Sequence, residues 1–243
     1  MQTAPSLMRE FAPTGRLRAA LNLGNPVLAH SRTATERPAG VTIDLARRFA
    51  QMLGVPADLL QFESAAKSGA AVAAAEADIG FMAIDPKRAE AIHFTTPYVQ
   101  IEGCYLVREA SPLQCNDEVD RPGTRVVVGD GSAYQLFLSR HLRHAGVVQV
   151  ATSEAVVDAF LADPAIEAAA GVRQQLETDA RRVGAVRLLP GHFMVIEQAM
   201  AMPRGRSSQA RALLESFIVE QRRSGFVRDA LQRHGIEGAT ALE

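Results

Sequence analysis

The chain has 243 residues, 26 Lys and Arg against 27 Asp and Glu for a formal charge of −1, and 47% apolar residues. That apolar share can bury a core and argues against disorder, while the balanced charge gives no global attraction for nucleic acid or anionic membranes. No apolar run nears the ~20 residues of a spanning helix, and two cysteines, Cys104 and Cys115, can form at most one bridge. Residues 1–10 lack the ~7–15-residue apolar core of a secretory signal. A cytoplasmic chain is therefore expected, the alternative being a periplasmic protein whose signal was trimmed and replaced by Met1.

In chain order, 17–21 reads as a short buried strand ending in a loop at 22–26. Residues 42–53 place Ile43, Leu45, Ala46, Phe49, Ala50 and Leu53 on one helical face, with Gly54 as the stop. Then come a strand at 59–62, an Ala-rich helix at 64–75 and a buried strand at 78–83. A short helix at 86–91 has Asp85 as N-cap and Pro86 in its first position. An extended stretch at 99–107 leads to a strand at 125–128, helices at 132–144 and 153–162, and strands at 166–170 and 186–189. A second extended stretch, 194–202, precedes a long helical region at 207–234. Strands alternating with helices predict an α/β protein with mostly parallel sheets. Two such series joined by two extended segments predict two lobes.

Five stretches in this order carry a resemblance. They are Gly40-Val41-Thr42-Ile43-Asp44-Leu45-Ala46, Ala77-Asp78-Ile79-Gly80-Phe81-Met82-Ala83-Ile84-Asp85-Pro86-Lys87-Arg88 and Phe94-Thr95-Thr96-Pro97-Tyr98. Gly123-Thr124-Arg125-Val126-Val127-Val128 with Gly131-Ser132 follows, then Met202-Pro203-Arg204-Gly205 with Ser224-Gly225-Phe226. Together they span roughly residues 15–236, and the chain resembles the family 3 solute-binding proteins, the two-lobed Venus flytrap group that includes amino-acid receptors of ABC transporters. The resemblance implies a periplasmic-binding-protein-like fold with two hinge strands. Lobe 1 would be 15–103 plus 199–236, lobe 2 104–198, and 1–14 and 237–243 terminal tails. It also implies a ligand in the interlobe cleft, where every buried charge needs a partner.

Residue by residue, the resemblance places Arg88 at the family position that grips the ligand's α-carboxylate, a task suited to a planar, permanently charged fork. Ser132, with the N–H groups around Gly131 and Ala133 at a helix start, makes a second anion-holding corner; a plain N-cap is its other reading. A dinucleotide fingerprint is excluded because Tyr134 stands where the third Gly belongs. The family's ammonium-binding carboxylate falls here on Val172, and Asn22 stands where basic-amino-acid receptors carry Asp. Both usual ammonium partners are missing, so the expected ligand is an organic or 2-oxo acid rather than a standard α-amino acid.

Lys67 and Arg173 either face the cleft as further cations or sit in solvent. Phe81, Met82, Ala83 and Tyr134 either line an apolar wall or pack the core. Asn25 either donates to a ligand or serves a turn. Glu102 and Glu197, in the hinge segments, either pair with Arg173 or Lys67 or face solvent.

No cofactor and no metal site is expected, His141 and His144 reading as a solvated helix face. The expected function is a non-catalytic binder that closes on a small-molecule carboxylate, with no nucleic-acid partner, no membrane insertion, and an ABC permease partner only if the chain is exported. One alternative is a cyclohexadienyl or arogenate dehydratase-like enzyme using Glu177 or Glu102 as its acid. Others are an amino-acid receptor with a trimmed signal and a sensory module acting through a partner chain.

Overall fold

The computed structural model describes residues 5–30 and 38–243. Its elements in chain order are α1 (Pro5–Phe11), β1 (Leu17–Asn22), α2 (Val41–Leu53), β2 (Ala57–Phe62), α3 (Ala65–Ala73), β3 (Ile79–Ala83), α4 (Pro86–Ala89) and β4 (Ile92–Arg108). They continue with β5 (Arg125–Gly129), α5 (Ala133–His141), β6 (Gly146–Val150), α6 (Val156–Ala162), β7 (Ala168–Val172), α7 (Arg173–Val183) and β8 (Val186–Leu188). The chain closes with β9 (Met194–Pro203), α8 (Ser208–Arg223), α9 (Phe226–Arg233) and β10 (Thr240–Ala241). It divides into two compact units, Met1–Gln100 with Glu197–Glu243, and Ile101–Ile196. Both divisions fall inside long strands, β4 and β9, a few residues before the boundaries expected from sequence.

In the first unit the strands run β2-β1-β3-β9-β4, with β10 on β4. β1 lies parallel to β2 and β3, and β3 antiparallel to β9. The core gathers Ala20, Ala71, Val72, Ala77, Met82, Ile92 and Ala201. The apolar stripe of α2 is buried as its periodicity predicts, and the helix stops at Gly54, which adopts the left-handed conformation and returns its N–H to Gln51 O.

The segments expected as terminal tails each carry an element of the first unit. Phe11, at the end of α1, is fully buried and packs edge-on to Phe49 with ring centroids 4.9 Å apart. Burial of one such ring contributes about 1.5–3 kcal/mol, enough to dock a seven-residue helix that could not persist alone. At the other end, β10 pairs antiparallel with Val99 and Gln100. Of the presumed N-terminal tail, residues 1–4 lie outside the described residues.

In the second unit the order is β4-β7-β5-β6, with β8 also on β4. β5 is parallel to β6 and β7, and β4 antiparallel to β7 and β8. Its core contains Cys104, Leu106, Val127, Val156, Val157, Phe160, Ile166, Ala169 and Leu176. Both cysteines are free thiols, Cys104 buried and Cys115 exposed. Gly129 ends β5 where a Cβ would lie 2.8 Å from Ser153 N and 2.9 Å from its Cα. Those are backbone atoms that cannot step aside, so Gly129→Ala is expected to lower stability by about 1–3 kcal/mol, read as an earlier urea midpoint at unchanged m value.

Candidate functional site

The two units each carry part of the residue set singled out in the sequence. In the first, β3 delivers the chain to Asp85, whose side chain accepts from Lys87 N at 2.9 Å and starts α4 with Pro86 in its first turn. That single turn turns Arg88 back on its own strand, so that Nη1 donates to Ala83 O at 2.9 Å. The guanidinium is desolvated enough to lower its pKa to about 10, against the opposing pull of Asp85, and it stays charged at neutral pH. The strand end therefore holds a half-buried planar cation in a defined direction.

The surrounding residues are less uniform. Met82 belongs to the core of the first unit, and Phe81 packs edge-on to Tyr98 at 6.4 Å. All five residues of β3, Ala83 included, are buried. Lys67 is exposed and ion-paired to Glu63, four residues earlier. Asn22 ends β1 with Oδ1 accepting from Gly24 N at 3.1 Å, a turn role. Asn25 accepts from Leu28 and Ala29 N through its backbone carbonyl, while its side-chain Oδ1 is buried with no hydrogen-bond partner among the described residues. Glu197 is exposed and accepts from Gln100 Nε2 at 3.1 Å.

In the second unit, Ser132 caps α5 by accepting from Gln135 N at 3.1 Å, while its own N–H donates to Gly129 O. Gly131 takes a positive φ of 63° just before it, and Ala133 opens the helix. Tyr134 is buried, and its hydroxyl donates to Ser153 Oγ at 2.7 Å. Val172 ends β7 half-buried, opposite Gly103, and brings no carboxylate to that position.

Arg173, the first residue of α7, is held rather than free. Its Nε lies 2.5 Å from Glu102 Oε2, its Nη2 donates to Gly191 O at 2.7 Å, and Glu177 stands 3.8 Å away. His192 completes the group, with Nδ1 3.0 Å from Glu102 Oε1. Nothing in the sequence pointed to His192, since a lone His after Gly in a loop carries no periodic signal. The hydrogen bond from Arg173 outweighs burial and holds the Glu102 carboxyl below its usual value of 4.5. A folded pKa below the unfolded one stabilises the protein above about pH 4.5, and that gain is lost as pH falls through the lowered value. Urea midpoints of the wild type and Glu102→Gln are thus expected to differ at pH 7 and to converge once the pH has fallen below the lowered value. A gap that persists at low pH would exclude charge pairing as the cause.

Among the described residues, no helix is long and apolar enough to cross a membrane. In fold, the chain is similar to AbpA, an amino acid ABC transporter substrate-binding protein from Streptococcus pneumoniae bound to L-arginine (18% identity, TM-score 0.76, 92% of this chain and 95% of that one). It is likewise similar to the ancestral amino-acid-binding protein AncCDT-1, a precursor of cyclohexadienyl dehydratase (17%, 0.75, 93% and 98%). A histidine kinase sensor domain with similarity to periplasmic binding proteins matches as well (17%, 0.76, 92% and 96%). A search of curated proteins finds no match. At these identities the likeness is one of fold, the mixed α/β, two-lobed periplasmic-binding-protein architecture. The family model for bacterial extracellular solute-binding proteins, family 3, matches residues 18–235, and with nine-tenths of its length covered in this way the chain belongs to that family.

Proposed function

We propose that this solute-binding protein takes a small carboxylate, an organic or 2-oxo acid, and that Arg88 is its principal grip. The observation that carries the reading is the desolvated guanidinium of Arg88, aimed by the Ala83 carbonyl at the end of β3. A fork so oriented suits the two oxygens of a carboxylate. On the second unit, Ser132 and the first N–H groups of α5 form a corner suited to an anion. An α-amino acid also needs an acceptor for its ammonium, since a buried unpaired charge is costly. Val172 has no polar side-chain atom, Asn22 is uncharged with its Oδ1 already accepting from Gly24 N, and Glu102 is already engaged by Arg173 and His192. That last pairing also counts against the dehydratase alternative, because a general acid needs a raised pKa and Glu102 has a lowered one.

Titration calorimetry against monocarboxylates, dicarboxylates, 2-oxo acids and α-amino acids tests the reading. Preferred binding of an acid without an amino group supports it. Tighter binding of L-arginine or another amino acid would reverse it. Incubation with prephenate is expected to yield no phenylpyruvate.

A further inference from the structure

A separate cluster of positive charge lies in the first unit, where α8 ends and α9 begins. Residues 204–233 carry seven arginines and three acidic residues in a chain whose net charge is −1. Three of those arginines, Arg222, Arg223 and Arg228, line a cavity of about 360 Å³ at the corner between the helices. The turn is made at Gly225 with φ 76°, and α9 starts there without a side-chain cap, turning the positive end of its peptide dipoles toward the corner. Beneath the cavity surface, Arg222 Nε is buried and has no hydrogen-bond partner among the described residues.

The chain itself supplies an acid to this place. Pairing of β10 with β4, continued by Leu242 N donating to Tyr98 O at 3.1 Å, brings Glu243 into the lining of the cavity. Arg222 Nη2 then donates to the Glu243 carbonyl, and Arg228 Nη1 stands 4.0 Å from its carboxylate. That last distance is loose, the Glu243 side chain is 93% exposed, and the nearest other acid, Asp229, is 3.8 Å from Arg228 Nε. Such exposed contacts are weak and exchange readily with a competing anion.

We propose that this corner is a second anion site, distinct from Arg88, which takes a phosphate group in place of the Glu243 carboxylate. Three guanidinium forks converging on one cavity match the several acceptor oxygens and double charge of phosphate better than a single carboxylate does. The volume leaves room for an organic substituent beyond the ion itself.

The test is a thermal-shift and calorimetric titration of the full chain with inorganic phosphate and with glycerol phosphate, ionic strength being held constant with sodium chloride. An Arg88→Ala background keeps any phosphate bound at that residue out of the signal. Saturable binding is expected, weakened at least tenfold in Arg222→Gln/Arg228→Gln and tightened a few-fold in Glu243→Ala. Arg223→Gln/Arg228→Gln, confined to exposed side chains, provides a variant that keeps its fold and is also expected to weaken binding. Tighter binding of the ester assigns the site to an organic phosphate, and equal binding assigns it to the free ion. A response reproduced by sodium chloride, or one unchanged in both arginine pairs, overturns the proposal: the arginines would then only compensate the C-terminal dipole of α8. Neither result bears on carboxylate binding at Arg88.

Discussion

Arg88→Ala is expected to weaken binding of the best carboxylate by about 2–5 kcal/mol, the usual range for truncating one partner of a buried charge pair. That corresponds to roughly a 30-fold to several-thousand-fold rise in Kd. Arg88→Lys keeps the charge but loses the planar fork, and its expected loss is intermediate. Stability should change little in either variant. Arg88 lies in a helix of only four residues, and its burial opposes the charge instead of contributing core packing. The two readouts therefore separate: calorimetry moves while the urea midpoint stays. If Kd is unchanged in Arg88→Ala, the assignment of the grip fails, whatever the ligand proves to be.

The largest effect on stability is expected at Asp78. Its carboxylate is fully buried and accepts from Arg18 Nη2 at 2.8 Å, from Arg18 Nε and backbone N at 3.0 Å each, and from Arg206 Nη2 at 3.1 Å. Those four bonds fill the acceptor sites of a carboxylate. They tie the start of β1 to the start of β3 and to the segment before α8. Asp78→Ala would leave two guanidinium groups, whose side chains are only 25% and 18% exposed, without their counter-ion. Breaking a buried pair in this way costs about 3–5 kcal/mol. For a chain of this size the melting temperature should fall by roughly 6–20 °C. Asp78→Asn keeps the shape without the charge and is expected to fall between the two. A drop within ~2 °C for the alanine variant would mean that the network is neutral to stability.

Much of the first unit was legible because its signals are local. The apolar stripe of α2, the stop at Gly54, and the Asp85-Pro86 start of α4 depend on residues within a turn or two of each other. Three short elements escaped notice for the opposite reason. α1 is held by Phe11 on Phe49, and β10 by the far edge of β4. β6 is a half-exposed edge strand with no core pattern of its own, defined by its parallel register with β5. The break between α8 and α9 fell inside what reads as one continuous helical region.

The candidate site divides along the same line. The order of segments and their spacing by themselves determined the α/β class, the family, and the position of Arg88 after β3. Tertiary structure alone decided which charges are engaged: Arg173 with Glu102 and His192, and Asp78 with Arg18 and Arg206. It also decided that Met82 and Tyr134 are buried. The physical reason is that helix and strand periodicity report which residues share a face. The strength of an ion pair or the role of a buried ring depends instead on distance and desolvation, set by strands and loops far apart in the chain.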